Sequence, residues 1–413
     1  MALATATALS ACAGSAGGSD SSSSGGGEGV EYGATPEEYQ EALADMEPVT
    51  LKYQPGAQSA AGHTGEAESE FIKQVSELSG GKITLEPVWA QAIAPFDTVT
   101  EAVADGRLDL GIEIPIYTPS KYAAINDLIN LTPSKPASPY VTEIAHTAAM
   151  LETAWDTPEV MDNYEAMGVT ALRPAWFEFS NALMCTEPVT SPADLKGKQI
   201  RVGSAADLTI AEALGATGVS MQFVEAYEAL QRNTIDCTFG GLRIGAEYGF
   251  LEVAPYVTFP TEAAWVRNPT ALVAGPGYTN LPLAAQQVIY DAFSTANANS
   301  LEAAVSWTAD ALTKVEENGG DVVRLDEDAM ELLNGAIDKL RQQTIDSENL
   351  DGQAAVDAFD ENYDKWIAIA EEEGYENTDD YFAFADAQHA DPVDLQPFSE
   401  RMFEEIYLEH RPE

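Results

Sequence analysis

From Val49 the chain alternates short apolar runs with stretches in which apolar residues recur every three to four positions, the mark of strand–helix alternation. VTLKYQ is the first such run. A helical pattern from about Thr64 to Ser79 stops at Gly80-Gly81, residues free to take the positive φ that ends a helix, and KITLEPV follows as a strand. A further helix over Phe96–Ala104 stops at Asp105-Gly106, and LDLGIEI supplies the next strand. Two strand–helix–strand units in succession predict a largely parallel sheet covered on both faces.

The same kind of block returns mid-chain. TALRPAW and NALMCTEPV read as strands, followed by KQIRVG, a helix from about Ala206 to Leu214, VSMQF, a helix over Glu225–Arg232, and TIDCTFG. The stretch YVTFPTEAAWVRNPTALVAG reads as a strand pair crossing back. Leu281–Glu317 is then a long Ala-rich helical pattern, and amphipathic helices are expected over Asp326–Arg341 and Ala354–Glu373. Upstream, Thr35-Pro36-Glu37-Glu38 combines an N-cap, a first-turn proline and a capping-box glutamate, predicting a short helix through Met46. The acidic tail, residues 374–413, carries Tyr381, Phe384, Phe398, Phe403 and Tyr407, and these aromatics are expected to pack it back onto the body.

Residues 1–12 end in Leu9-Ser10-Ala11-Cys12, which resembles the bacterial lipobox, where a signal is cut before Cys and the thiol carries lipid. The Gly/Ser-rich residues 13–34 suit a flexible tether. A signal peptide opens on Lys or Arg; none stands here, so the leader is expected to begin upstream of Met1.

Composition mainly excludes. At 413 residues the chain is too long for one comfortable core, so two lobes are expected. With 68 Asp and Glu against 20 Lys and Arg, the net charge of −48 repels nucleic acid and anionic lipid headgroups. Its plain reading is solubility, in surroundings where salt of roughly 1 M screens repulsion within about 3 Å. The three cysteines and four histidines form no zinc spacing or HExxH pattern, and no GxSxG elbow occurs. Asp346, Glu348 and Asp351-Gly352 miss the alternation and closing glutamate of a calcium loop. Beyond the N-terminus no apolar run reaches the ~18 residues of a membrane span. Neither enzyme activity, nor a metal, nor a cofactor is expected.

The segment Ser191–Gly241, SPADLKGKQIRVGSAADLTIAEALGATGVSMQFVEAYEALQRNTIDCTFGG, resembles the solute-binding proteins of TRAP (tripartite ATP-independent periplasmic) transporters, the dicarboxylate-binding-protein family. Asp194-Leu195-Lys196-Gly197, Ile200-Arg201-Val202, Ala213-Leu214-Gly215-Ala216, Glu225 to Gln231 and Ile235-Asp236 follow the family's landmarks in order and spacing. Gly80-Gly81-Lys82-Ile83 and Gly106-Arg107-Leu108-Asp109 extend the likeness, which runs from about Val49 to Asn318. It implies an α/β two-lobe, periplasmic-binding-protein-like clamshell with crossing strands and a long bridging helix. Residues 48–172 with 258–300 would form one lobe, and 173–257 with 301–373 the other. The implied function is capture of a small organic acid for the membrane components of such a transporter, by a lipid-anchored monomer outside the cytoplasm. A binding protein serving a sensor is the alternative, and a cell-surface hydrolase a remote one.

By the resemblance, Arg201 holds the substrate carboxylate, a task suited to a planar fork that stays charged when desolvated. Asn181 stands where many members carry a second arginine, and Gly240 where they carry a polar asparagine. Trp176, Glu178, Trp265, Arg267 and Asn268 fall at the lobe crossings, where cleft residues are expected; Trp176 reads equally as simple packing, and Arg267 reads first as a solvated surface residue. Phe239 reads equally as pocket wall or core, and Glu113 as cleft residue or solvated strand end. With one evident clamp and two polar arms lost, a monocarboxylate is favoured over a dicarboxylate, Arg267 being the residue that could supply a second charge. Cys185 and Cys237, both on second-lobe strands, are candidates for a disulfide in an export compartment.

Overall fold

The computed structural model describes residues 29–413; the Leu9–Cys12 motif and most of the tether lie outside the described residues. In chain order the strands are β1 (Val49–Gln54), β2 (Ile83–Pro87), β3 (Leu110–Glu113), β4 (Thr170–Phe177), β5 (Asn181–Cys185), β6 (Gln199–Val202), β7 (Thr217–Ser220), β8 (Cys237–Gly241), β9 (Tyr256–Phe259), β10 (Pro269–Ala274) and β11 (Asp321–Arg324). They form two sheets, ordered β2-β1-β3-β10-β4 and β11-β9-β5-β8-β6-β7. The expected parallel units are there: β1 pairs parallel with β2 and β3, and β6 with β7 and β8. Each sheet also takes strands from the crossings, β10 and β5, which pair antiparallel with their neighbours.

The crossings set the lobe boundary. β4 stays in the first sheet through Phe177 and β5 opens the second at Asn181, so the outward crossing is residues 178–180 rather than 173. The strand pair read over 256–275 divides likewise: β9 belongs to the second sheet and β10 to the first. The long helical pattern breaks at Ala292 into Leu283–Asp291 and Phe293–Glu317. The second of these packs on Gly62–Leu78 of the first lobe and on Leu242–Glu247 of the second, bridging them.

The C-terminal extension does pack back, along that helix. Ser399 Oγ donates to Ser294 O at 2.7 Å, the Leu395 N–H to Glu302 Oε1 at 3.0 Å, and His389 Nε2 meets Asp310 Oδ1 at 3.0 Å. Tyr381 stacks on Phe259 and Arg411 grips Asp291 through two bonds of 2.8 and 2.7 Å. The helix Pro36–Ala42 carries the capping box read from Thr35 and Glu38. Cys185 and Cys237 lie opposite each other on β5 and β8 and are disulfide-bonded.

A closed cleft at the lobe crossing

The two crossings run side by side. The Glu178 N–H donates to Asn268 O and the Asn181 N–H to Val266 O, both at 3.1 Å. One ion pair fastens both to the first lobe. Arg267 donates through Nε and Nη2 to the Glu143 carboxylate at 2.8 and 2.9 Å, and Glu143 also accepts the Ser180 N–H at 2.7 Å.

Above the crossings lies a cleft of about 90 Å³. The first lobe contributes Gly56, Glu68, Phe96, Ile112 and Ile114; the second contributes Phe223, Arg243 and Tyr248. Arg173 and Trp176 stand on β4, Glu178 and Phe179 come from the outward crossing, and Ser300, Leu301 and Ala304 of the long helix add to the lining. The lobes meet across its mouth: Gln58 Nε2 donates to Tyr248 Oη at 2.8 Å, the Phe223 N–H to Tyr117 Oη at 3.4 Å, and Phe96 faces Phe223 with ring centroids 6.1 Å apart. The two lobes are thus closed on each other, and the space left between them is small.

Of the residues singled out from the sequence, Trp176 and Glu178 line this cleft. Glu178 is paired with Arg243 Nε at 3.3 Å. Arg201 is not among the lining residues; its Nε donates to Met221 O and its Nη1 to Phe239 O, each at 2.9 Å. Beside it is the buried Asp207, which accepts the Gly203 and Ser204 N–H groups at 3.1 Å and Asn181 Nδ2 at 3.4 Å. Burial raises the Asp207 pKa, against the pull of Arg201. Arg201, Asn181 and the Phe239 carbonyl thus come together, none of them among the residues that line the cavity. Gly240 is interior; a Cβ there would meet Met184 Cε at 3.3 Å.

The return-crossing residues are turned inward. Trp265 is buried, bonding Thr258 O through Nε1 at 2.7 Å and packing on Phe239. Arg267 is 0% exposed and gives its two remaining side-chain bonds to Thr132 O and Pro136 O, so no free fork is left for a second ligand charge. Asn268 accepts the Glu178 N–H through its carbonyl.

Glu113 is neither a cleft residue nor a solvated strand end. It is buried, accepting the Thr100 N–H at 3.0 Å and Thr100 Oγ1 at 2.9 Å. Burial pushes its pKa up to about 7 from an ordinary 4.5, against those two bonds. The folded chain therefore keeps a proton that the unfolded chain releases, and stability falls as pH rises between those two values. Glu113→Gln removes the titration and should gain on the wild type, by about 2 kcal/mol, as pH rises from about 5 to about 8. Urea titrations at both pH values check this; an equal gap at both contradicts it.

Arg173, Arg243, Glu68 and Tyr248 went unread in the sequence. Arg173 is three residues before Trp176, and in a regular strand the two would face opposite ways. Register shifts in the β4–β10 pairing set Trp176 opposite Thr270 and Arg173 opposite Leu272, three steps on β4 against two on β10. That bulge puts both on one face, the Arg173 guanidinium 4.5 Å from the Trp176 ring centroid. Pro174, inside an apolar strand, was the available signal.

The chain matches the family model described as "Bacterial extracellular solute-binding protein, family 7" over residues 57–348. It is 28% identical over 179 residues to the ectoine-binding periplasmic protein TeaA of Halomonas elongata, an alignment covering 42% of this chain and 51% of that one, about half the relative's length. A monocarboxylate 2-oxoacid-binding periplasmic protein of a Nostoc species is 23% identical over 306 residues, 72% of this chain and 78% of that one. Among solved structures, a marine-metagenome TRAP solute-binding protein in complex with 3-hydroxybenzoate superposes with a TM-score of 0.67 at 21% identity, covering 78% of this chain and 99% of the other. A Bordetella bronchiseptica TRAP protein with bound mandelate gives 0.66 at 18% identity, covering 77% and 99%. The structures share the two-lobe fold, and the family match takes in most of both lobes: the chain belongs to the bacterial extracellular solute-binding protein family 7.

Proposed function

We propose that this chain captures a small organic acid between its lobes and delivers it to the membrane components of a TRAP-type transporter. The observation carrying this reading is the shut cleft between the lobes, walled by Phe96, Trp176, Phe179 and Phe223 and holding guanidinium groups. Apolar walls with a few placed charges suit a compact solute whose orientation matters. Relatives named for ectoine and 2-oxoacids, and neighbours bound to 3-hydroxybenzoate and mandelate, point the same way. Two arginines and two glutamates line the space, so the lining is formally neutral; a compact dicarboxylate would make it strongly negative, which favours a single carboxylate. Arg201 serves binding from behind, holding the Met221–Phe223 segment against Tyr117.

The test is a thermal-shift panel of small carboxylic acids, each paired with its primary amide. An acid at 100 times its dissociation constant should stabilise the chain by about 2.7 kcal/mol while its amide does not. A panel in which no acid shifts melting, or amides match acids, contradicts the reading.

We also propose that the Cys12 thiol carries a lipid and holds the protein at the outer face of the membrane. Expressed from its upstream start, with the full leader, in a lipoprotein-processing bacterium, the protein should partition into detergent and Cys12→Ser should stay aqueous. Equal partitioning of the two removes the anchor.

A further inference from the structure

We propose that Arg173 receives the ligand's carboxylate and Glu68 its nitrogen, so that the cleft selects compact zwitterions over plain anions. This rests on the organic-acid reading and names the residues and ligand class within it.

The four arginines at or behind the cleft differ in what already holds them. Arg267 is bonded to a carboxylate and two carbonyls, Arg201 to two carbonyls, and Arg243 to Glu178 and Glu247. Arg173 is 8% exposed, lines the cleft, and has its Nε enclosed with no acceptor among the described residues. A guanidinium taken out of water without an acceptor is costly, and the Trp176 face beneath it offsets only part of that cost. An anion arriving in the cleft would supply what the protein withholds.

Glu68 completes the pattern. It lines the same cleft, hydrogen-bonds the Tyr53 hydroxyl, and lies within electrostatic reach of Arg173 and Arg243 without an ion pair to either. Since Arg243 and Glu178 are spent on each other, one cation and one anion of the lining remain open. A plain anion on Arg173 would face Glu68 unscreened. A molecule with a carboxylate at one end and a cationic N–H group at the other satisfies both, its skeleton resting on Phe96 and Phe179.

The test takes matched pairs from the acid panel: proline with cyclopentanecarboxylate, pipecolate with cyclohexanecarboxylate, phenylglycine with phenylacetate. Calorimetry at fixed ionic strength should find the binding zwitterions at least tenfold tighter than their nitrogen-free partners. Glu68→Gln should abolish that preference. Arg173→Met, which keeps length over Trp176, should weaken the best acid at least 30-fold and raise the melting temperature of the unliganded chain, whereas losing a purely structural arginine would lower it. Affinity retained in Arg173→Met overturns the assignment of Arg173, and nitrogen-free acids binding as tightly as zwitterions overturns that of Glu68. If no acid of any class binds the wild type, the organic-acid reading itself fails.

Discussion

Arg267→Met is expected to destabilise the chain by about 3–5 kcal/mol, because it strands the Glu143 carboxylate in the interior. Glu143 is 2% exposed, so water does not replace the lost fork. The pair also holds the crossings: Arg267 stands on the return segment, and the Ser180 N–H of the outward segment donates to the same carboxylate. Loss of the arginine should therefore loosen the hinge as well as lower the urea midpoint. Adding Glu143→Gln should recover part of the loss by removing the unpaired charge, at the expense of a weaker anchor for Ser180. A single variant with a native midpoint would show the pair to be dispensable.

Reducing the Cys185–Cys237 bridge is expected to have a comparable effect. The bond closes a loop between residues 52 apart in sequence, and a loop of that size restricts the unfolded chain by about 4 kcal/mol. The loop contains β6 and β7, which carry Arg201 and the strand beside it, and β8 at its end supplies the carbonyl that holds Arg201 Nη1. Dithiothreitol should lower the urea midpoint of the wild type and leave a Cys185→Ala/Cys237→Ala variant unmoved. Alkylation without reductant should find neither thiol free. A wild-type midpoint indifferent to reductant contradicts the expectation.

What could be read in the sequence was what depends on local pattern. Gly80 and Gly81 both take positive φ, of 60° and 79°, where the helix was expected to stop. The tail's aromatics announced that it packs, since Phe398, Phe403 and Tyr407 have no other reason to interrupt an acidic segment. Residues 115–167 escaped because the helix Val141–Trp155 is buried at 14 of its 15 positions and shows no polar stripe to give it away. The site was legible in part for a different reason. Arg201 stands out through the family resemblance and its apolar strand neighbours, yet whether its donors are free depends on carbonyls 20 and 38 residues away. Arg267 looked available until Glu143, 124 residues distant, was folded against it. Arg173 was hidden by a bulge, which changes the face of a strand without changing its apolar pattern.

The measurement bearing most directly on the central claim is a crystal structure of the chain with its best-binding acid. The ligand is expected enclosed between the lobes, its carboxylate about 2.7–2.9 Å from the Arg173 guanidinium and its skeleton against Phe96, Trp176 and Phe179. An acid bound outside this cleft, or inside it with the carboxylate turned away from Arg173 while that guanidinium stays without an acceptor, would contradict it.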